Sequence, residues 1–485
     1  MQTKSANLLE QLRSSYWFVP SLMALLAILL SFGTIALDEA LQREIIEEFG
    51  LIWAGGPEGA RGLLSTVASS MLGVAGVTFS ITIATLSLAS SQFGPHLIRK
   101  FMRDRSNQVV LGTFVAAFLY CLLVLRTVRT GDETRFVPFI SVTIALLLAL
   151  AGTGVLIYFI HHVALSIQAP QIIAAINRDL ENAIEQLFPD KHKAARAAPQ
   201  SEQQHPEQDI PEHFDYNSYS IEAHENGYIQ VIDYPSLMKH ATECDLVLRI
   251  ESSPGNFVVQ GTPLMTAWPR GNIDEKLQDK MNDAVMLARQ SNLTQDVKFA
   301  ITQMAEVAVR SLSPGINDPF TAIICVDWLS AALSRIAERE APSPYHYDDD
   351  GQLRLITQVV TFAELLDTAF GSIRSSALSL TNAMVIVRML EVIQVVAGRI
   401  HREEQYATLL RHTRLIGQGI RQQLSNMADQ ETLLEYYDKT MQVLEQRQEE
   451  LYGSGAMSSP EHTEADHPPE PEARYRYSET AHRSS

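Results

Sequence analysis

The sequence predicts a mainly α protein: a four-helix transmembrane domain followed by a cytoplasmic α+β domain, in which a small β-barrel or sandwich precedes a helical domain. Three observations predict it. Four apolar stretches crowd into the first third, each reaching the roughly 20 residues that cross a bilayer core of about 30 Å. The charge is split: residues 1–163 hold 11 Lys/Arg against 10 Asp/Glu, and the remainder holds 27 against 46. Beyond residue 213 the apolar period changes, first to short alternating runs between Gly/Pro turns and then to helical spacing.

The transmembrane domain covers residues 1–163, with spans at about 17–37, 64–93, 106–125 and 136–160. Trp17–Leu37 is uncharged, too long for the apolar region of a signal peptide and not followed by a small-x-small cleavage site, so it reads as a retained anchor. Orientation follows from basic residues. Lys4 and Arg13 precede the first span, and Arg99, Lys100, Arg103 and Arg105 follow the second. The loop between those spans is acidic, with Asp38, Glu39, Glu44, Glu47, Glu48 and Glu58. Both termini are therefore expected in the cytoplasm; Arg126, Arg129 and Arg135 in the third loop are a mild dissent. The Arg99–Arg105 cluster is assigned to topology, with membrane lipid headgroups as its secondary contact.

The second span differs from the others. From Ser65 to Ser91, 11 of 27 residues are Ser or Thr. Thr66, Ser69, Gly73, Gly76, Ser80, Ala84, Ser87 and Ser91 recur every three or four residues, one stripe of small side chains on one helical face. Thr78, Thr82 and Thr85 form a shorter stripe on another face. Two readings compete: a surface for close helix contact, or a wall facing water in a pore. The absence of an intramembrane acid, base or His there argues against a proton pump or charge-coupled transporter.

Residues 164–213 read as a helical extension and linker. Val163, Ile167, Ile172, Ile173, Ile176, Leu180, Ile184 and Leu187 keep helical spacing, with Pro170 placed to kink or break it, and Pro189–His213 has a linker composition. Residues 214–270 form the small β-rich domain, with strands expected around Tyr228–Ile232, Leu246–Ile250 and Phe257–Val259 and a short helix over Pro235–Thr242. Residues 271–452 read as helical: Val297–Leu312, Phe320–Ala337, Leu353–Phe370, Leu378–Ile400 and Tyr406–Leu451. The tail, 453–485, has a disordered composition.

The sharpest motif outside the spans is Arg310-Ser-Leu-Ser-Pro-Gly-Ile-Asn-Asp-Pro319. As a helix–helix corner it offers Gly315 for a left-handed turn, Asn317 to brace it, Asp318 as the next N-cap and Pro319 at the first helical position. As a contact site it offers Arg310, Asn317 and Asp318 to a ligand or a second subunit. Asp348-Asp349-Asp350-Gly351 lacks the ligand spacing of a cation loop and reads as an exposed turn. The adjacent His161 and His162 diverge on a helix and make poor co-ligands. Cys121, Cys244 and Cys325 are far apart, which points to neither a disulfide framework nor a structural zinc site. No catalytic motif is visible, so no enzyme activity, cofactor or metal is expected.

Phe79-Ser80-Ile81-Thr82, Gln92-Phe93-Gly94-Pro95 and Ser313-Pro314-Gly315-Ile316-Asn317-Asp318-Pro319 together resemble the domain-of-unknown-function 2254 family of predicted bacterial membrane proteins, over most of residues 10–440. The resemblance implies a multi-pass protein of the bacterial inner membrane and brings no activity with it. The residues themselves suggest a homo-oligomeric, channel-like protein with the second span near the pore. The alternative is a non-conducting sensor or scaffold whose cytoplasmic domain binds a protein or small ligand. A strongly acidic soluble part repels phosphate backbones, which excludes nucleic acid as a partner.

Overall fold

The structure, a computed structural model, describes residues 17–40, 56–94, 104–129, 136–166, 168–188, 209–289, 296–423 and 426–453. The linker from 189 to 208, the tail from 454, and Arg99, Lys100 and Arg103 lie outside the described residues.

Long apolar sequence gives four helices first: α1 (Phe18–Ala40), α2 (Pro57–Phe93), α3 (Arg105–Leu125) and α4 (Phe139–Ser166). α3 is innermost, with half of its apolar window buried against 22% for the other three, and α1, α2 and α4 all pack on it. The outer helices turn Leu25, Leu29, Phe32, Leu72, Val77, Leu147, Leu150 and Ile157 outward.

A polar network pins α1, α3 and α4 together inside the apolar mass. The buried Asp38 carboxylate, at the end of α1, accepts from Ile140 N (2.8 Å), Ser141 N (3.0 Å) and Ser141 Oγ (2.7 Å) at the start of α4. It thus answers free N–H groups and the positive end of the helix dipole. Tyr120 of α3 lies 3.0 Å from Thr34 Oγ1 and donates to the Ser141 carbonyl (3.1 Å). At the opposite end of α3, Asp104 accepts from Ser106 N (2.9 Å) as N-cap and meets His162 Nε2 of α4 at 2.6 Å.

The apolar period does not run unbroken past α4. Gln168 serves as N-cap for a separate helix, α5 (Ala169–Leu187), with Pro170 in its first turn, so Pro170 breaks the helix and does not kink it. α5 is no free strut: Ile172, Ile173, Ile176, Leu180 and Ile184 are buried in the core of the helical domain.

The middle of the chain folds as β1 (Tyr219–Glu222), β2 (Gly227–Ile232), α6 (Tyr234–Glu243), β3 (Val247–Ile250), β4 (Phe257–Val258), β5 (Pro263–Trp268), α7 (Glu275–Asp283) and β6 (Val285–Ala288). Two more strands, β7 (Tyr345–Tyr347) and β8 (Leu353–Ile356), arrive from much later in the chain. They complete a five-stranded sheet, β1-β5-β3-β8-β7, in which β3 and β8 are parallel; β4-β2-β6 form a second, antiparallel sheet. One apolar core, including Ile221, Ile229, Leu248, Met265 and Leu355, serves both. The helix expected over Leu353–Phe370 therefore starts only at Phe362, because Leu353 and Leu355 bury alternate side chains as a strand. Short apolar runs are ambiguous between the two states.

The helical domain comprises α8 (Val297–Ser311), α9 (Pro319–Glu338), α10 (Phe362–Ser379), α11 (Ala383–Ala397), α12 (Glu403–Gln423) and α13 (Met427–Tyr452), with α5. The single helix expected over Tyr406–Leu451 is two, separated where Asn426 caps α13. α9 is a fifth helix long and apolar enough to cross a membrane by length and composition. It packs against α5, α8, α10 and α11 and buries 56% of its apolar window.

Candidate functional site along the second apolar helix

α2 is built to be long. Pro57 follows an extended Gly56 and starts it, no proline or charge interrupts it after Arg61, and Gly94 ends it with φ +101° while its N–H reaches the Ser90 carbonyl (3.2 Å). Its 37 residues span about 55 Å at 1.5 Å per residue, well beyond a bilayer core of about 30 Å.

The helix has two distinct sides. Ala60, Leu64, Ala68, Met71, Ala75, Thr78, Thr85 and Ala89 are buried. Thr66, Ser69, Gly73, Gly76, Ser80, Ala84, Ser87 and Ser91, the stripe singled out from spacing, are all exposed. The shorter threonine stripe is therefore the one turned inward, and among the described residues the long stripe takes no part in helix contact. Among the described residues, nothing lies within 4 Å of where a Cβ on Gly73 or Gly76 would stand.

Three hydroxyls of the exposed stripe are satisfied locally. Ser69 Oγ donates to the Ser65 carbonyl (2.7 Å), Ser80 Oγ to Gly76 (2.9 Å) and Ser91 Oγ to Leu88 (2.8 Å). With their protons committed to the backbone, these oxygens present lone pairs outward. The face is small, uncharged and rich in acceptors.

The far end of α2 meets the other motif. Ala89 belongs to the apolar core of the helical domain, and α2 packs on α8. A Cβ placed on Gly94 would lie 3.3 Å from Arg310 Nε and 3.5 Å from Glu306 Oε2. The glycine is thus what lets the end of α2 seat against α8. Nothing in the sequence pairs these two motifs; each stands out only by its own turn chemistry.

The corner after α8 follows the expected turn with one change. Asp318 accepts from Thr321 N (3.1 Å) and Thr321 Oγ1 (2.6 Å), and Pro319 opens α9. The left-handed residue, however, is Asn317 (φ +48°) and not Gly315. Asn tolerates that region because its short polar side chain carries a small steric penalty there. The corner brings Asn317 and Asp318 together, whereas Arg310 sits a turn away, against Gly94. Arg105 opens α3, where Asp104 caps it. Asp348 lies in an exposed β7–β8 turn, where the Arg354 guanidinium at 2.7 Å holds its carboxyl below the usual range.

At the other end of α8, Asp296 is the N-cap, accepting from Phe299 N (3.0 Å), and burial pushes its carboxyl up. Gly255 of the β3–β4 turn (φ +92°) presses against it so closely that a Cβ there would collide with the Asp296 carboxylate. α8 therefore runs from the sheet region to the end of α2.

A second surface feature is a groove of about 820 Å³ between α12 and α13, lined by Tyr406, Leu410, Arg414, Glu445, Gln448 and Tyr452 among others.

Among known proteins, the family model described as "Predicted membrane protein (DUF2254)" matches residues 13–395. Uncharacterized proteins of Mycobacterium tuberculosis and Mycobacterium bovis are 29% identical over 402 residues, covering 82% of this chain and 74% of theirs. No solved structure matches the chain.

Proposed function

The chain belongs to the DUF2254 family of predicted membrane proteins, and on that premise we propose that it is a four-span, homo-oligomeric, channel-like protein whose α2 stripes face a shared axis. In this reading α1 to α4 cross the bilayer, with both termini in the cytoplasm of a bacterial inner-membrane protein. α9 is a core helix of the cytoplasmic part, which its contacts with four neighbouring helices favour. The reading assigns no catalytic chemistry.

The observation that carries it is the exposure of all eight stripe residues on a helix whose opposite face is already used. Lipid gains nothing from a row of Gly, Ser and Thr, whereas a second helix or a file of water does. Outward lone pairs replace hydration around a cation better than around an anion, so cations are the proposed permeant class. Four helices alone enclose little water, which is why the pore is assigned to an oligomer.

The test is reconstitution in planar bilayers, with cross-linking to count subunits. Wild type should pass cations, and Ser80→Leu should lower the unitary conductance several-fold. A strictly monomeric protein without conductance would sink the proposal. The groove between α12 and α13 favours the second reading, a non-conducting sensor or scaffold that docks a ligand or protein there.

A further inference from the structure

α10 and α12 lie side by side and run in the same direction: Asp367 meets Arg411 and His412, and further along Leu378 fills the space over Gly419. Asp367, Gly371, Arg374 and Leu378 recur at helical spacing, so they share the face of α10 that meets α12.

The charges on this face do not balance. Asp367 Oδ1 lies 2.7 Å from both Arg411 Nη2 and His412 Nε2, and Arg411 Nη2 also reaches Oδ2 at 2.8 Å. One carboxylate thus serves two basic side chains. Arg374 is left over: among the described residues it has no ion-pair partner, and its buried Nε has no hydrogen-bond acceptor. His412, 1% exposed, also has an unanswered Nδ1. Burial, then the like charge of Arg411, holds the Arg374 guanidinium below its ordinary value, and Asp367 only partly opposes them. A buried donor without an acceptor is a standing penalty that an anion relieves.

The same face has room. Gly371 stands between Asp367 and Arg374, and among the described residues nothing lies within 4 Å of where its Cβ would be. That leaves open space on this face beside an unpaired guanidinium.

We propose that the open space over Gly371 binds a small oxyanion, a phosphate or carboxylate group held between Arg374 and Arg411, with Asp367 and His412 as the residues that position Arg411. Arg411 commits Nη2 to Asp367 and keeps Nε and Nη1 for the ligand; Arg374 supplies its free fork. The site is independent of whether the protein conducts.

The test uses the full chain in detergent at constant ionic strength. Thermal unfolding and calorimetry are titrated with inorganic phosphate, with citrate, and with sodium chloride as the control. Wild type should show saturable binding of phosphate or citrate and none of chloride; a preference between the first two identifies the phosphoryl or the carboxylate source. Arg374→Gln and Gly371→Leu should each weaken that binding at least ten-fold, whereas Arg399→Gln, on an exposed pair elsewhere in the domain, should leave it unchanged. Leucine is a good helix former entering open space, so the Gly371 variant keeps the test alive if Arg374→Gln misfolds. Wild type without saturable oxyanion binding, or equal binding in the Gly371→Leu variant, overturns the assignment.

Discussion

Replacing Gly94 by alanine should loosen the seat of α2 on α8. Two terms set the size. The backbone at Gly94, φ +101° and ψ 160°, lies in a region essentially reserved for glycine, where another residue costs on the order of 1–3 kcal/mol. The new Cβ would also stand 3.3 Å from Arg310 Nε, a tight contact with a flexible side chain, which falls at the low end of the roughly 1–3 kcal/mol of overpacking. The expected loss is therefore about 2–4 kcal/mol. Reversible denaturation of the purified chain measures it, and hydrogen exchange in residues 300–311 locates it. In an Arg310→Ala background the steric part vanishes and the backbone part stays, so the two changes should be non-additive by about 1 kcal/mol. Gly76→Ala is the internal control: it is helical with nothing within 4 Å, and it should stabilise by roughly 0.5–1 kcal/mol. The reasoning fails if Gly94→Ala stays within about 0.5 kcal/mol of wild type, or if Gly76→Ala is the more damaging of the two.

Two further predictions concern stability. Asp38→Ala removes a buried acceptor of three hydrogen bonds at the start of α4 and should cost about 2–4 kcal/mol; Asp38→Asn keeps an acceptor and should lose less than half of that, so equal losses in unfolding assays would refute the cap. Burial holds the His412 imidazole below its ordinary value of 6.5 despite Asp367. The unfolded chain then binds the proton more readily, so stability is fully present above pH 6.5 and drains as pH falls toward the depressed folded value; a urea midpoint that declines from pH 7.5 to 5.5 in wild type, and less in His412→Gln, is the expected result.

The sequence made some features easy to read and hid others for identifiable reasons. The four apolar helices follow from length and hydropathy alone, although α2 starts earlier than its apolar stretch, at Pro57, because Glu58 and Arg61 fit its exposed first turns. Asp318 and Pro319 were legible as cap and first residue, since that chemistry is local. The left-handed position at Asn317 was not, because Gly315 two residues earlier competes for the same role in the same turn. Strands β7 and β8 were invisible: four apolar-alternating residues next to a helix give no sign that their partner is β3, about a hundred residues earlier. The stripe on α2 was visible as a pattern, but which side faces its neighbours depends on α3 and not on α2 itself. The meeting of Gly94 with Arg310, and the like-charge proximity of Arg374 to Arg411, join segments whose spacing carries no shared period.

The contact between Asp38 and Ser141 also sets an order of events during synthesis. Asp38 ends the first apolar helix, and the amides that answer it lie about a hundred residues later. Until the fourth helix emerges, that carboxylate has no helix N-terminus to cap and Tyr120 lacks the Ser141 carbonyl. The first three helices are thus an unfinished set that the fourth one locks. A nascent chain stalled before residue 139 would hold α1 and α2 already packed on α3, with the Asp38 carboxylate still short of the amides that answer it.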